Sequence, residues 1–402
     1  MKKLDSKKFI WGVNNIGYQI EGNNYTSNWH RWERRALVPE SGRANNYWNE
    51  FKNDNILAQE LGVGAMRISL EWSRIEPREG EFDVKVINHY RKILRDLKER
   101  KIKTVVGLWH WSVPAWFEER YGLHHRDTSE IFIRYTRYVL DNLGDLIDIL
   151  IVLNEPMVLI GMGYIRGEHP PFNKSLWRAL RVAKNFALIH KKVYRLTHKY
   201  LKNILVGSAH LANDYYPASS KKSFNYFLEK LAIKLSEYFR FGYLLKRIEP
   251  CQDFIGINYY RRSGLKFNGL TGGLAGFEQM DNPHDPNGWK EFPEGIYESS
   301  KKIYQDYKKP IIILENGKPT DCILDDYGRV EFIQKTVDQL EKIKKDKIDL
   351  RGYFHYSLTD AYEWTGGYNY FFGLVQIDRQ SLVRQKRQSF YAYQEIIKED
   401  RL

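Results

Sequence analysis

DILIVLNEP, Asp148–Pro156, and IIILENG, Ile311–Gly317, are two nearly unbroken apolar runs that each break off on a neighbouring Asn and Glu. Runs this short, rich in Ile, Leu and Val and without an alternating polar face, read as parallel strands buried on both sides. Working outward, the same kind of run recurs as FIWGVN from Phe9, AMRISL from Ala65 and KTVVGLW from Lys103. It returns as ILVGSA from Ile204, DFIGIN from Asp253 and GYFHYSL from Gly352. Longer amphipathic stretches separate the runs. VINHYRKILRDLKERK places Ile87, Tyr90, Ile93, Leu94 and Leu97 on one helical face. SEIFIRYTRYVLDNLG opens on Ser129 as the expected N-cap and ends at Gly144. Eight strands alternating with helices predict an α/β fold, a single (β/α)8 barrel occupying residues 1–402 as one domain. A doubly wound sheet is the alternative, but it needs a Gly-rich phosphate loop after an early strand, and the first strand–helix turn has none.

In such a barrel the active site lies at the C-terminal ends of the strands. Those ends carry Arg67, His110 with Trp111, Asn154 with Glu155, Asn258 with Tyr260, Glu315 with Asn316, and Tyr356. So many polar residues on one rim point to an enzyme. Glu155 and Glu315 end the fourth and seventh strands, which face each other across an eight-stranded barrel. Two converging carboxyl groups suit glycosidic cleavage: one protonates the leaving oxygen while the other attacks the anomeric carbon or activates water.

Composition agrees with this and narrows it. Aromatic residues make up 15% of the chain, which suits a site for sugar rings, whose apolar faces stack on aromatic ones. The net charge of +13 raises nucleic-acid or membrane-surface binding, but the Lys and Arg are interleaved with Glu and Asp, as in LEKIKKDKID, the pattern of solvated helix faces. No specific nucleic-acid partner and no membrane partner are expected. Two cysteines, Cys251 and Cys322, form no disulfide framework or zinc pattern. MKKLDSKKFIWGVNN lacks the apolar core of a signal peptide, and no run approaches a membrane span, so a cytoplasmic protein is expected. GMGYIRG, Gly161–Gly167, is not spaced as a dinucleotide loop, and the adjacent His124 and His125 lack companion ligands. No metal and no cofactor is expected.

With these residues in view, the chain resembles glycoside hydrolase family 1, the β-glucosidase and β-galactosidase family. VLNEP (Val152–Pro156) is similar to the family's acid/base motif T-[FLM]-N-E-P, and LENG (Leu314–Gly317) to its nucleophile motif T-E-N-G. The resemblance runs from FIWGVNNIGYQIEG through RISLEWSRIEP, HWSVPAW, GINYYRRS and GWKEFPEGIY to SLTDAYEWTGGYNYFFGLVQID. SNWHRWERRALVPESGRANNYW looks closer to the archaeal-type β-glycosidases. The resemblance implies a retaining exo-β-glycosidase acting on unphosphorylated glucosides, galactosides or fucosides. Glu155 would be the acid/base and Glu315 the nucleophile, the latter assisted by Arg67 and Tyr260, with Asn154 at the sugar 2-hydroxyl. Gln19, His110, Trp111, Asn258, Glu363, Trp364 and Phe372 would hold the sugar and Trp289 would stack on the aglycone.

Four positions depart from the family pattern. Tyr356 stands where Trp usually forms the base of the sugar pocket, Leu314 and Val152 replace Thr in the two catalytic motifs, and Ala361 replaces Asn. The segments after the fifth strand and between Glu315 and the eighth strand look trimmed. A catalytically weak sugar- or ligand-binding barrel and a transglycosidase therefore stay open as alternatives. Oligomeric state is not legible.

Overall fold

The structure is a computed structural model and describes residues 8–269, 277–280, 290–320, 324–400 and 402. Eight parallel strands close into a barrel: β1 Ile10–Asn15, β2 Ala65–Ser69, β3 Lys103–Gly107, β4 Ile149–Asn154, β5 Leu205–Leu211, β6 Ile255–Asn258, β7 Ile311–Asn316 and β8 Leu350–His355. Each pairs with its sequence neighbour, and β8 returns to β1. The predicted (β/α)8 barrel is the fold.

The strands bury both faces. Ile10, Ala65, Val105, Ile149, Ile151, Ile312, Leu314 and Phe354 fill the barrel interior, while Leu150, Val152, Ile255, Ile257, Ile311 and Ile313 pack outward against the helices. This two-sided burial is why the runs read as continuously apolar. Phe354 occupies the space that a side chain at position 12 would need: a Cβ on Gly12 would lie 2.4 Å from its ring.

Helix Val84–Glu99 turns Ile87, Tyr90, Ile93, Leu94 and Leu97 inward, the expected face. Asp83 caps it, accepting from the Lys85 and Val86 amides. Helix Thr128–Leu143 has Asp127 at the N-cap, so the expected cap Ser129 is corrected: it lies inside the first turn, buried, where its hydroxyl accepts from Lys192 Nζ. Gly161–Ile165 belong to a widened helical turn that ends at Gly167. Beyond the barrel mouth, Asp214–Pro217, Arg262–Phe267 and Phe277–Met280 form a small three-stranded sheet. Among the described residues no helix is long and apolar enough to cross a membrane.

Candidate active site

Side chains along a strand alternate faces, so parity predicts where each points. In β7, Ile312 and Leu314 face the interior, and simple alternation would send Glu315 outward to the helices. A register shift after Ile313 against both neighbouring strands inserts an extra residue, so Leu314 and Glu315 both turn inward. β4 does the same in mirror fashion. Its register slips between Ile151 and Asn154, Val152 and Leu153 both pack outward, and Asn154 arrives facing in. Glu155 follows in the left-handed region at φ 44° and ψ 50°, immediately before Pro156 opens a short helix. A non-glycine residue held there marks a turn fixed by its surroundings.

Glu315 is enclosed by donors. Arg67, wholly buried on β2, donates from Nη1 to its Oε1 at 2.6 Å. The Tyr260 hydroxyl donates to Oε2 at 2.6 Å. Burial, with the Glu315 charge second, pushes the Tyr260 phenol well above its usual range, so it remains a donor. Gly317 follows at close quarters: a Cβ there would lie 1.9 Å from the Tyr356 carbonyl oxygen.

Glu155 has a different environment. Burial, then the charge of Glu315, raises its carboxyl to about 8, against the opposing effects of an Asn258 hydrogen bond and Arg67. Asn258 Nδ2 donates to Glu155 Oε1 at 2.8 Å. Arg67 also orders the neighbouring residues. Its Nη2 donates to Asn154 Oδ1 at 2.7 Å, which leaves Asn154 Nδ2 facing His110 Nε2 at 3.0 Å. With the amide so fixed, His110 Nε2 accepts and Nδ1 carries the proton. Burial, aided by the Arg67 charge, keeps that imidazole neutral.

On the opposite wall, the Tyr356 hydroxyl donates to Glu363 Oε1 at 2.9 Å and accepts from Gln19 Nε2 at 2.8 Å. Glu363 is pushed up to about 8, mainly by desolvation, with Glu315 and Asp360 adding to it and the bonds from Tyr356 and Gln19 opposing it. Trp364 stacks between Tyr18 and His110, at ring-centroid distances of 5.9 and 5.8 Å. Tyr260, Tyr356 and Phe372 meet edge to face.

Ten of the expected site residues line one cavity of about 400 Å³ at the C-terminal rim: Gln19, His110, Trp111, Glu155, Tyr260, Glu315, Tyr356, Glu363, Trp364 and Phe372. Arg67 and Asn258 sit beneath it and hold its carboxyl groups, and Asn154 accepts from both of them. Trp289 lies outside the described residues. The sequence reading missed His169, Asn213 and Arg261, which also line the cavity. Asn213 accepts the Tyr260 and Arg261 amides, tying the end of β5 to the segment after β6. It escaped notice because β5 runs on to Leu211, past the apolar run that ended at Ala209. His169 packs edge-on against Trp29 and Trp111, and the HPP sequence that carries it gave no periodic signal. Among the described residues no cluster of His, Cys, Asp or Glu is arranged to hold a metal.

A carboxyl that retains its proton near neutrality, facing a carboxylate paired with a guanidinium, is an acid opposite an anion in one pocket. The comparisons with known proteins agree with that chemistry. The profile of glycosyl hydrolase family 1 matches residues 1–240 and 244–402. The chain is 30% identical to β-glucosidase A of Acetivibrio thermocellus over 98% of both chains. It superposes on the β-glycosidase from Pyrococcus horikoshii with a TM-score of 0.90 at 32% identity, covering 98% of this chain and 95% of that one. It superposes on the Thermotoga maritima β-glucosidase in complex with deoxynojirimycin with a TM-score of 0.91 at 27% identity over 98% of each chain. The chain belongs to glycosyl hydrolase family 1 and is a β-glycosidase of the barrel type.

Proposed function

We propose that this single-domain chain hydrolyses unphosphorylated β-D-glucosides, galactosides or fucosides by double displacement, releasing one terminal sugar. The observation that carries the reading is the contrast between the two carboxyl groups: Glu155 is raised to about 8, while Glu315 is held by Arg67 and Tyr260. In the first step the Glu315 carboxylate attacks the anomeric carbon. The bond to the aglycone oxygen breaks, that oxygen takes the Glu155 proton, and the sugar is left as an ester of Glu315. Esterification removes the Glu315 charge that helps hold the proton on Glu155, so Glu155 becomes the better base. It then takes a proton from water as the water oxygen attacks the anomeric carbon and the ester bond to Glu315 breaks, which releases the sugar and restores both side chains.

The remaining residues position the sugar in this reading. His110 Nδ1 and Trp111 Nε1 are buried donors with no protein partner among the described residues, and both residues line the pocket, where sugar hydroxyls can accept from them. Glu363 and Gln19 engage the sugar by releasing the Tyr356 hydroxyl, a competitor that the usual Trp would not supply. Glu363 brings no positive charge to the pocket for a phosphorylated sugar. The buried free thiol of Cys251 suits a reducing compartment, in keeping with action in the cytoplasm on a small sugar substrate.

The test is Glu155→Gln assayed on two aryl β-glucosides. A poor leaving group should lose about 10²–10⁴-fold in glycosylation rate, the usual worth of general acid help, whereas a dinitrophenolate should leave nearly as fast as before. Unchanged turnover of the poor leaving group would remove Glu155 from the role.

A further inference from the structure

Gln19, Tyr356 and Glu363 satisfy one another on the wall of the catalytic pocket. The Gln19 side-chain amide has two hydrogens, and both are engaged: Nε2 donates to the Tyr362 carbonyl oxygen and to the Tyr356 hydroxyl, each at 2.8 Å. The Tyr356 hydroxyl has a single proton, directed at Glu363, whose two carboxyl oxygens lie at 2.9 and 3.2 Å. The amide and the carboxyl group therefore already hold a hydroxyl between them, and it belongs to the protein.

That hydroxyl is fixed in place by the ring that carries it. Tyr356 is buried against Ile16 and Phe372, and Tyr260 meets it edge to face at 5.9 Å. A sugar hydroxyl entering the same seat has to displace one that is already oriented there. The exchange swaps one hydroxyl for another and adds no bond. His110 Nδ1 and Trp111 Nε1 are the contrast within the same pocket. They are buried donors with no protein partner among the described residues, so a sugar hydroxyl that reaches them adds a bond.

We propose that Tyr356 is a specificity determinant whose hydroxyl fills the seat of one sugar hydroxyl between Gln19 and Glu363. The chain then gains little from that hydroxyl and takes β-glycosides of the matching deoxy sugar as readily as β-glucosides. This rests on the glycosidase reading and adds which feature of the sugar the site leaves unread. The two hydroxyls exclude each other, so the one on the sugar counts only where the one on the protein is absent.

The experiment measures kcat/KM of the wild type and Tyr356→Phe on an aryl β-glucoside and on its 2-, 3-, 4- and 6-deoxy forms. The variant keeps the ring and loses only the oxygen. In the wild type the deoxy form that matches the seat should react within about threefold of the parent, a limit well below the worth of a full hydrogen bond. In Tyr356→Phe the parent should gain about tenfold over that same deoxy form, equivalent to ~1.4 kcal/mol, the size of one added hydrogen bond. The ratios of the parent to the other three forms should stay as they are in the wild type. A residue that merely packs would shift all five substrates by one common factor. That result overturns the proposal, as does a wild type that loses more than threefold at every position.

Calorimetry with methyl 1-thio-β-glucoside and its matching deoxy form reads the seat without turnover. An affinity ratio that widens about tenfold in Tyr356→Phe supports the seat even if no glycoside is hydrolysed, in which case only the hydrolytic reading fails. An unchanged ratio, with the aryl glucoside still hydrolysed, sinks the seat alone.

Discussion

Asn258 closes β6 with its side chain wholly buried, and its Nδ2 is shared between Glu155 Oε1 at 2.8 Å and Asn154 Oδ1 at 3.1 Å. Removing it in Asn258→Ala takes a hydrogen bond from the ionised form of Glu155 and leaves the Arg67–Glu315 pair at 2.6 Å untouched. A hydrogen bond to a charged group contributes about 1.5–3 kcal/mol, and one pH unit corresponds to about 1.4 kcal/mol. Loss of the donor therefore raises the carboxyl by about one to two units, nearer one because the amide is shared. The general acid must be protonated to act, so the falling alkaline limb of kcat/KM follows it. That limb should move from about 8 in the wild type to roughly 9–10 in the variant. The assay is kcat/KM for phenyl β-glucoside from pH 5 to 11, with circular dichroism confirming the fold at each pH. An alkaline limb that stays in place or moves to lower pH would refute the claim that Asn258 stabilises the charged form of Glu155.

Three further outcomes follow from the same geometry. Tyr260→Phe removes the 2.6 Å bond to Glu315, and kcat/KM should fall about 10–100-fold, the rate equivalent of ~1.5–3 kcal/mol, while the denaturation midpoint barely moves; undiminished activity would leave the phenol without a part in catalysis. Glu155→Gln should stabilise the protein at pH 8. The folded carboxyl holds its proton to about 8 against an ordinary 4.5, so its contribution to stability is full below about pH 4.5 and is lost as pH rises through 8. Urea midpoints at pH 5 and pH 8 should therefore lie further apart in the wild type than in the variant, and equal separations would contradict the sign. Arg387→Met removes from the buried Asp360 its ion pair and two of its hydrogen bonds, at 2.8 and 3.0 Å, leaving the bond from the Gly373 amide, and should cost about 3–5 kcal/mol in urea unfolding; a loss below 1 kcal/mol would show that Asp360 finds another partner or takes up a proton.

How far the site could be read in advance varies with the kind of signal. Glu155 and Glu315 stood out because a charged residue at the end of an apolar run breaks an otherwise uniform pattern, and Arg67 because it interrupts one in the middle of β2. Gln19 and Glu363 lie outside the strands, and as isolated residues they carried no signal; only the surrounding motifs brought them forward. Asn213 stayed hidden because His210 and Leu211 extend β5 beyond its apolar core. Ser129 misled because Ser at a helix start is a common cap, but here the cap position is Asp127, two residues earlier. Tyr356 was legible as a departure, whereas its consequence, a hydroxyl bonded to both Glu363 and Gln19, was not.

The sequence by itself determined the barrel, because eight apolar runs too short for helices and separated by amphipathic ones have few other ways to bury both faces. It also determined that Glu155 and Glu315 sit on the rim, since the apolar runs of β4 and β7 stop at them. Only the tertiary structure decided which way those groups point. By strict alternation Glu315 would face the outer helices and Asn154 would leave the barrel interior. One extra residue in each of β7 and β4, visible only in the pairing with neighbouring strands, turns both toward Arg67. Pairing register depends on contacts between residues far apart in the chain, and a local pattern of two cannot encode it.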